Sequence, residues 1–134
     1  MPLESQVAQA IQDLAILRTT HARALLVGPS PEVDAAIATL RCDLRQPVIA
    51  WTPADTPDPP VLTRGTLIVR DVGSLAREQQ QRLLDWVDHG HGGVQVISTS
   101  GGHMWPLVER GVFLTPLYYR LGVLCVDLTP AASV

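Results

Sequence analysis

Arg70 and Asp71 stand at the end of the apolar run Leu67-Ile68-Val69, and Val72-Gly73-Ser74-Leu75 then leads into a helix. Three large aliphatics in a row leave no polar side for water, so the run predicts a strand buried on both faces. In an open parallel sheet, ligands bind at the C-terminal edge of the strands, which makes this charged pair the first candidate for chemistry. A solvated strand exit would produce the same pattern.

The turn Gly28-Pro29-Ser30-Pro31 lies between a short apolar run and a helix, where a P-loop cradles phosphates on backbone amides. That chemistry needs glycines for close approach, a lysine for the terminal phosphates and a hydroxyl for magnesium. Here two of the four residues are prolines without an amide donor, and Glu32 and Asp34 follow where positive charge is wanted. Each carboxylate, partly buried, would repel a triphosphate by roughly 1 kcal/mol or more. The turn therefore reads as structural.

His89 and His91 are two apart in a glycine-rich stretch, and His103 lies beyond the next strand. A His-x-His pair can chelate a metal, but a site needs a third ligand with a defined approach. Histidines at a helix end, where the dipole favours their charge, satisfy the same pattern. Cys42 and Cys125 have no partner at a motif spacing and read as small buried residues in a reduced compartment. Ser98, Thr99 and Ser100 read as local hydrogen-bonders at a strand end.

These residues are positioned by one chain of 134 residues, 46% hydrophobic and 17% charged, which is enough for a single domain with its own core. The net charge of -3 offers no sequence-independent attraction to a phosphate backbone, so nucleic acid is excluded as a direct partner. All ten basic residues are arginine, and the chain contains neither lysine nor asparagine. Mechanisms that need either residue are excluded with them. No apolar run approaches a membrane span and no signal core is present, so a cytoplasmic protein without membrane contact is expected.

Apolar spacing predicts a helix over 5–18 carrying Val7, Ala10, Ile11, Leu14 and Leu17 on one face. Strands follow over 24–27, 47–51, 67–69, 94–99 and 123–128. The second helix starts with Ser30 as N-cap and Pro31 at its first position, and buries Val33, Ala36, Ile37 and Leu40. Residues 52–64 form a proline-rich loop. A helix from Leu75 to about His89 faces Leu83, Trp86 and Val87 inward and Arg77, Glu78, Gln80 and Gln81 outward. Short helices cover Met104 to Arg110 and a segment capped by Thr115. Strands alternating with helices imply a parallel sheet with right-handed crossovers.

In that order, Gly65-Thr66-Leu67 with its charged pair, Val94-Gln95-Val96-Ile97-Ser98-Thr99-Ser100 and Gly111-Val112-Phe113 resemble the central AAA+ domain of bacterial sigma-54-dependent transcription activators. Leu117-Tyr118-Tyr119-Arg120-Leu121-Gly122-Val123 carries the resemblance most specifically, and the whole likeness covers about 24–128. It implies that the Gly28 turn is the Walker A loop, Arg70-Asp71 the Walker B pair, Ser100-Gly101 the first sensor, and the segment before Leu117 the source of arginines that reach a neighbour's nucleotide. The chain departs from the family at these positions. Asp34 stands near the Walker A lysine, Arg70 replaces the magnesium-binding aspartate and Asp71 the catalytic glutamate. Gly101 stands for the sensor asparagine, Leu114 replaces one arginine, and Arg120 is retained. The loop 52–64 is expected to replace the long sigma-contacting insertion, and no helical lid is expected within these residues.

The expectation is a three-layer α/β/α sandwich with a five-stranded parallel P-loop-NTPase-like sheet and an extra N-terminal helix. Its parts are a helix over 1–22, a core over 24–128 and a tail over 129–134. The implied function is a pseudo-ATPase without cofactor, a regulatory or protein-interaction module possible in transcription. Its partner is itself or an intact AAA+ activator, contacted through Tyr118, Tyr119 and Arg120. The alternative is a nucleotide-responsive regulator that binds ATP through Arg70; a third reading is a metal-binding domain using His89, His91 and His103.

Overall fold

Aliphatic runs without a polar side build the centre of the sheet. The computed structural model describes residues 2–56, 58–89 and 93–129 of the chain. Strands β1 (Ala24–Val27), β2 (Val48–Trp51), β3 (Gly65–Val69), β4 (Val94–Ser100) and β5 (Leu124–Asp127) are all parallel, in the order β2-β3-β4-β1-β5. Every residue of β1, β3 and β4 is buried, whereas the edge strands β2 and β5 are only partly covered. Central parallel strands need helices on both sides, and the crossovers supply them.

The helices are α1 (Pro2–Thr20), α2 (Ser30–Leu40), α3 (Arg77–Asp88), α4 (Trp105–Glu109) and α5 (Thr115–Leu121). On one face Leu25, Val27, Leu67, Val69 and Val96 pack with Leu83, Phe113, Leu117 and Leu121 of the α3–α5 side. On the other, Leu26, Ile68, Ile97 and Val126 pack with Leu17 of α1 and Val33, Ile37 and Leu40 of α2. The result is the expected three-layer sandwich with the extra helix α1 against β5 and α2.

Several local expectations are corrected. Helices α2 and α5 begin at Ser30 and Thr115, with Pro29 and Leu114 as N-caps and no side-chain cap. Their first turns close through Val33 N–H to the Pro29 carbonyl at 3.0 Å and Tyr118 N–H to the Leu114 carbonyl at 3.0 Å. Pro31 and Pro116 thus sit inside the first turn, where a missing amide leaves no intrahelical bond unmade. In α1, Ile11 is 62% exposed while Asp13 is buried. At about 100° per residue, Asp13 lies closer than Ile11 to the buried stripe through Leu17. The Gln9 amide donates to the Asp13 carboxylate at 2.9 Å. Side chains of residues 1–8, Val7 among them, and the tail 130–134 lie outside the described residues.

Cys42 and Cys125 are exposed rather than buried, Cys42 in the 3-10 turn Arg41–Asp43 and Cys125 on edge strand β5. Partial desolvation beside α1 and the nearby Asp127 and Asp13 carboxylates still push the Cys125 thiol above its usual range. Gly65 has φ +103°, and a Cβ there would stand 2.3 Å from the Pro47 carbonyl oxygen, so the entry to β3 admits glycine alone.

Gln80 also overturns its expected outward position. A 3-10 turn, Val72–Ser74, precedes α3, and Gln80 on that helix is 1% exposed. Its Nε2 donates to the Leu75 carbonyl at 3.0 Å and the Val112 carbonyl at 2.9 Å, and its Oε1 accepts from Leu114 N–H at 2.8 Å. One polar side chain thereby satisfies the irregular main chain on both sides of α3. Gln80→Leu fills similar volume but strips three main-chain groups of their partners, at about 1 kcal/mol each. Urea denaturation should show a loss of roughly 3 kcal/mol, with Tm lower by about 10 °C.

Candidate functional site

Parallel strands place all their C-terminal ends on one edge of the sheet, where β1 runs into Gly28, β3 into Arg70 and β4 into Gly101. The structure therefore brings Gly28, Pro29, Ser30, Asp34, Arg70, Asp71 and Gly101 to the same edge. Gly28 has φ +155°, and a Cβ there would stand 3.0 Å from the Leu128 main chain. Its N–H donates to the Ser100 carbonyl at 2.9 Å. With Pro29 and Pro31 lacking amides, only Ser30 and Glu32 of the turn have an N–H to offer a ligand.

Arg70 leaves β3 with its N–H donating to the Trp51 carbonyl at 3.0 Å. Its guanidinium Nη1 then reaches across to α2 and donates to Asp34 Oδ1 at 2.5 Å. Both side chains remain partly open to solvent, 35% for Arg70 and 57% for Asp34. Asp71 adopts the left-handed region (φ 53°, ψ 54°), and its N–H donates to Thr99 Oγ1 at 2.9 Å. Its carbonyl accepts from the Ser74 main chain and hydroxyl. This anchoring holds the exposed Asp71 at the border of two shallow cavities.

The first, of about 290 Å³, is lined by Ser30, Val33, Arg70, Asp71, Thr99 and Gly101. The second, of about 390 Å³, runs past Asp71, Ser74, Gly101, His103, Leu107 and Arg110. Nothing lies within 4 Å of a Cβ built on Gly101, so this position leaves open space between them. Of the three residues expected to bond locally, Ser100 does so through its hydroxyl to the Gly102 carbonyl at 2.6 Å, Thr99 instead holds Asp71 of the neighbouring strand's exit, and the buried Ser98 hydroxyl has no partner among the described residues.

Residues 5–131 match the family described as the sigma-54 interaction domain. The chain belongs to that family. It is 30% identical over 77 residues to the HTH-type transcriptional regulatory protein TyrR of Salmonella typhimurium, a match covering 49% of this chain and 15% of TyrR. The matched TyrR of Salmonella typhi shows the same figures, so the chain spans only a small part of these relatives. The P-loop NTPase domain of the sigma-54 transport activator from E. coli superimposes with TM-score 0.73 at 21% identity, covering 96% of this chain and 99% of that one. NtrX from Brucella abortus in complex with ATP gives 0.70 at 20% identity, covering 92% and 37%. The fold of a sigma-54 interaction domain, of the AAA+ type found in transcription regulators, is thus established.

The other predicted residues sit elsewhere on this domain. Arg120 Nε donates to Asp88 Oδ1 at 2.9 Å, tying α5 to the last residue of α3. Tyr118 is half-buried and its hydroxyl is pushed above its usual range by burial, Cys125 and Tyr119. Its ring lies 5.7 Å from Trp105 and 5.4 Å from Tyr119, giving an aromatic row whose ends are 44% and 58% exposed. His89 and His103 flank opposite ends of β4, a seven-residue strand, and so stand on the order of 20 Å apart. Nδ1 of His89 meets the Asp85 carbonyl and Nε2 of His103 lies 3.6 Å from Asp127. His91 is outside the described residues, among which no cluster could hold a metal.

The exposed Arg70–Asp34 pair should couple by about 0.5–1 kcal/mol in a double-mutant cycle using Ala, read by urea denaturation. The coupling should shrink in molar salt. Exchanging the pair, Asp34→Arg with Arg70→Asp, should recover most of it.

Proposed function

We propose that this sigma-54 interaction domain neither binds nor hydrolyses ATP and acts as a regulatory protein-interaction module. The observation that carries the reading is the Arg70–Asp34 ion pair. Set on the phosphate-loop pattern G-x-x-x-x-G-K-[ST], Gly28 takes the first glycine, and Val33, Asp34 and Ala35 take the second glycine, the lysine and the hydroxyl. A carboxylate stands where the phosphate-binding cation belongs. At the end of β3, Arg70 stands where the family resemblance expects the carboxylate that holds magnesium. The two charges are exchanged, and each neutralises the other across the site at 2.5 Å.

Such a pair preserves the attraction between α2 and β3 while reversing the sign that a magnesium triphosphate would meet on each wall. The residues present do not fit that ligand: Asp34 and Glu32 repel the phosphates, and Arg70 repels the cation. Arg70 Nη1 already donates to Asp34, so a phosphate would have to compete with that carboxylate for the guanidinium.

A role through contacts is supported by the aromatic row Trp105, Tyr118 and Tyr119, since exposed aromatics are favoured anchors of protein interfaces. Partnership with itself or with an intact AAA+ regulator acting at sigma-54-dependent promoters, in the cytoplasm, is the reading that the family supports. Arg120, committed to Asp88, supports α5 from the side.

Calorimetric titration with ATP and with ADP, each with magnesium, should give no binding heat and leave Tm unchanged, because a ligand specific for the folded state must raise it. Saturable, magnesium-dependent binding abolished by Arg70→Ala would overturn the reading in favour of an arginine-based nucleotide sensor.

A further inference from the structure

Strand β5 ends the sheet, with β1 on one side and no strand on the other. Leu124 and Leu128 donate their N–H groups inward, to the Arg23 carbonyl at 3.1 Å and the Val27 carbonyl at 2.7 Å. Main-chain groups alternate in direction along a strand, so Cys125 turns both its N–H and its C=O outward. No main-chain hydrogen bond among the described residues reaches either group on that side. An open strand side of this kind is a template for another strand.

Exposed apolar side chains border this flank in all three layers of the sandwich. In the sheet, Val123 is 64% exposed, and the exposed Cys125 follows on the same face. In the α1 layer, Arg18 pairs with Asp43, which directly follows α2, so that side of the helix looks toward α2. Residue 16 lies about 200° round the helix from residue 18, hence on the side away from α2. Ile16 is 45% exposed there. In the remaining layer, Leu117 and Leu121 of α5 face the core and Arg120 reaches α3 through Asp88, which leaves Tyr118 on the side of β5. The Cys125 thiol acts on the Tyr118 hydroxyl, in keeping with that placement. Tyr119, 58% exposed, packs edge-on against Tyr118.

The charged groups on the flank are engaged within the chain. Asp13 accepts from the Gln9 amide at 2.9 Å, Asp127 accepts from Thr129 N–H at 2.9 Å and lies 3.6 Å from His103, and Arg120 holds Asp88. Two copies of the flank therefore meet without uncompensated like charges. A single added peptide strand would satisfy Cys125 but leave Ile16 and Tyr119 uncovered in the two helical layers. A second copy covers all three layers, because a two-fold axis normal to the sheet sets α1 against α1, β5 against β5 and α5 against α5.

We propose that this flank is a two-fold self-association surface, in which β5 of a second copy pairs antiparallel with β5 and joins the two five-stranded sheets into one. Cys125, the central outward residue, stands opposite the partner's Cys125 at a Cα separation of about 5.5 Å, as in a hydrogen-bonded antiparallel pair. Pairing consumes both open β5 flanks, so the assembly closes at a dimer. The proposal rests on the reading of the domain as a protein-interaction module and supplies its partner; it uses no residue of the Arg70 edge.

Sedimentation equilibrium of the purified chain from micromolar to submillimolar concentration should show a monomer–dimer equilibrium. Val123→Lys, which brings like charges to the flank, should weaken the dimer about tenfold or more while leaving Tm of the dilute monomer unchanged. Cys125→Pro removes only the outward N–H and keeps the bonds to β1, so it should abolish the dimer and leave a folded monomer. In a Cys42→Ser background, a short bismaleimide should link two chains through Cys125. A monomer at every concentration, expected where the flank is solvated or takes a strand from another protein, would overturn the proposal. So would a dimer indifferent to Val123→Lys and Cys125→Pro, or one lost on Trp105→Ala alone. The interaction reading itself fails on a different result, magnesium-dependent ATP binding by the same protein.

Discussion

Burial of β1, β3 and β4 on both faces is the constraint from which the other features descend. A strand with no polar side demands a helix layer above and below, and a parallel strand demands that the chain cross back between each pair. The crossovers α2 and α3 therefore are the layers that seal the two core clusters. The same direction of travel gathers every strand exit at one edge and every strand entrance at the other. Arg70, Asp71, Gly28 and Gly101 become neighbours this way although they are spread over more than half the chain.

The strands were legible because aliphatic runs such as Leu67-Ile68-Val69 admit no other placement, and α2 was legible because Val33, Ala36, Ile37 and Leu40 share one face. Polar residues that serve the main chain were not. Gln80 reads as a surface residue by composition, yet the irregular segments before and after α3 leave carbonyls and an amide that need a partner inside. Asp13 escaped notice for a related reason: the buried stripe of α1 is set by its contacts with β5 and α2, not by the most apolar spacing. The cysteines went astray because small apolar residues carry no signal of being at a turn or on an edge strand.

The candidate site was legible in its members but not in its principal contact. The glycine turn and the charged pair could be named from their places beside apolar runs, and the missing lysine could be seen directly. That Arg70 pairs with Asp34, 36 residues earlier, depends on β3 lying next to β4 and α2 covering the sheet from β1. Pairings of that range belong to topology. Each charge supplies what the other lacks: a lone aspartate at residue 34 or a lone arginine at residue 70 would be without the partner that the other provides.

The two edges of the sheet treat their charges differently. At the C-terminal edge, arginine and aspartate satisfy one another, and the shallow cavities around Asp71 are bordered by groups whose hydrogen bonds are largely made within the chain. At the N-terminal edge, the half-buried Arg23 keeps one guanidinium nitrogen, Nη1, without a hydrogen-bond partner among the described residues. Strand β1 joins both edges of the sheet, and its four residues are all buried. It thereby links an entrance fixed by Leu124 N–H on the Arg23 carbonyl to an exit fixed by Gly28 N–H on the Ser100 carbonyl.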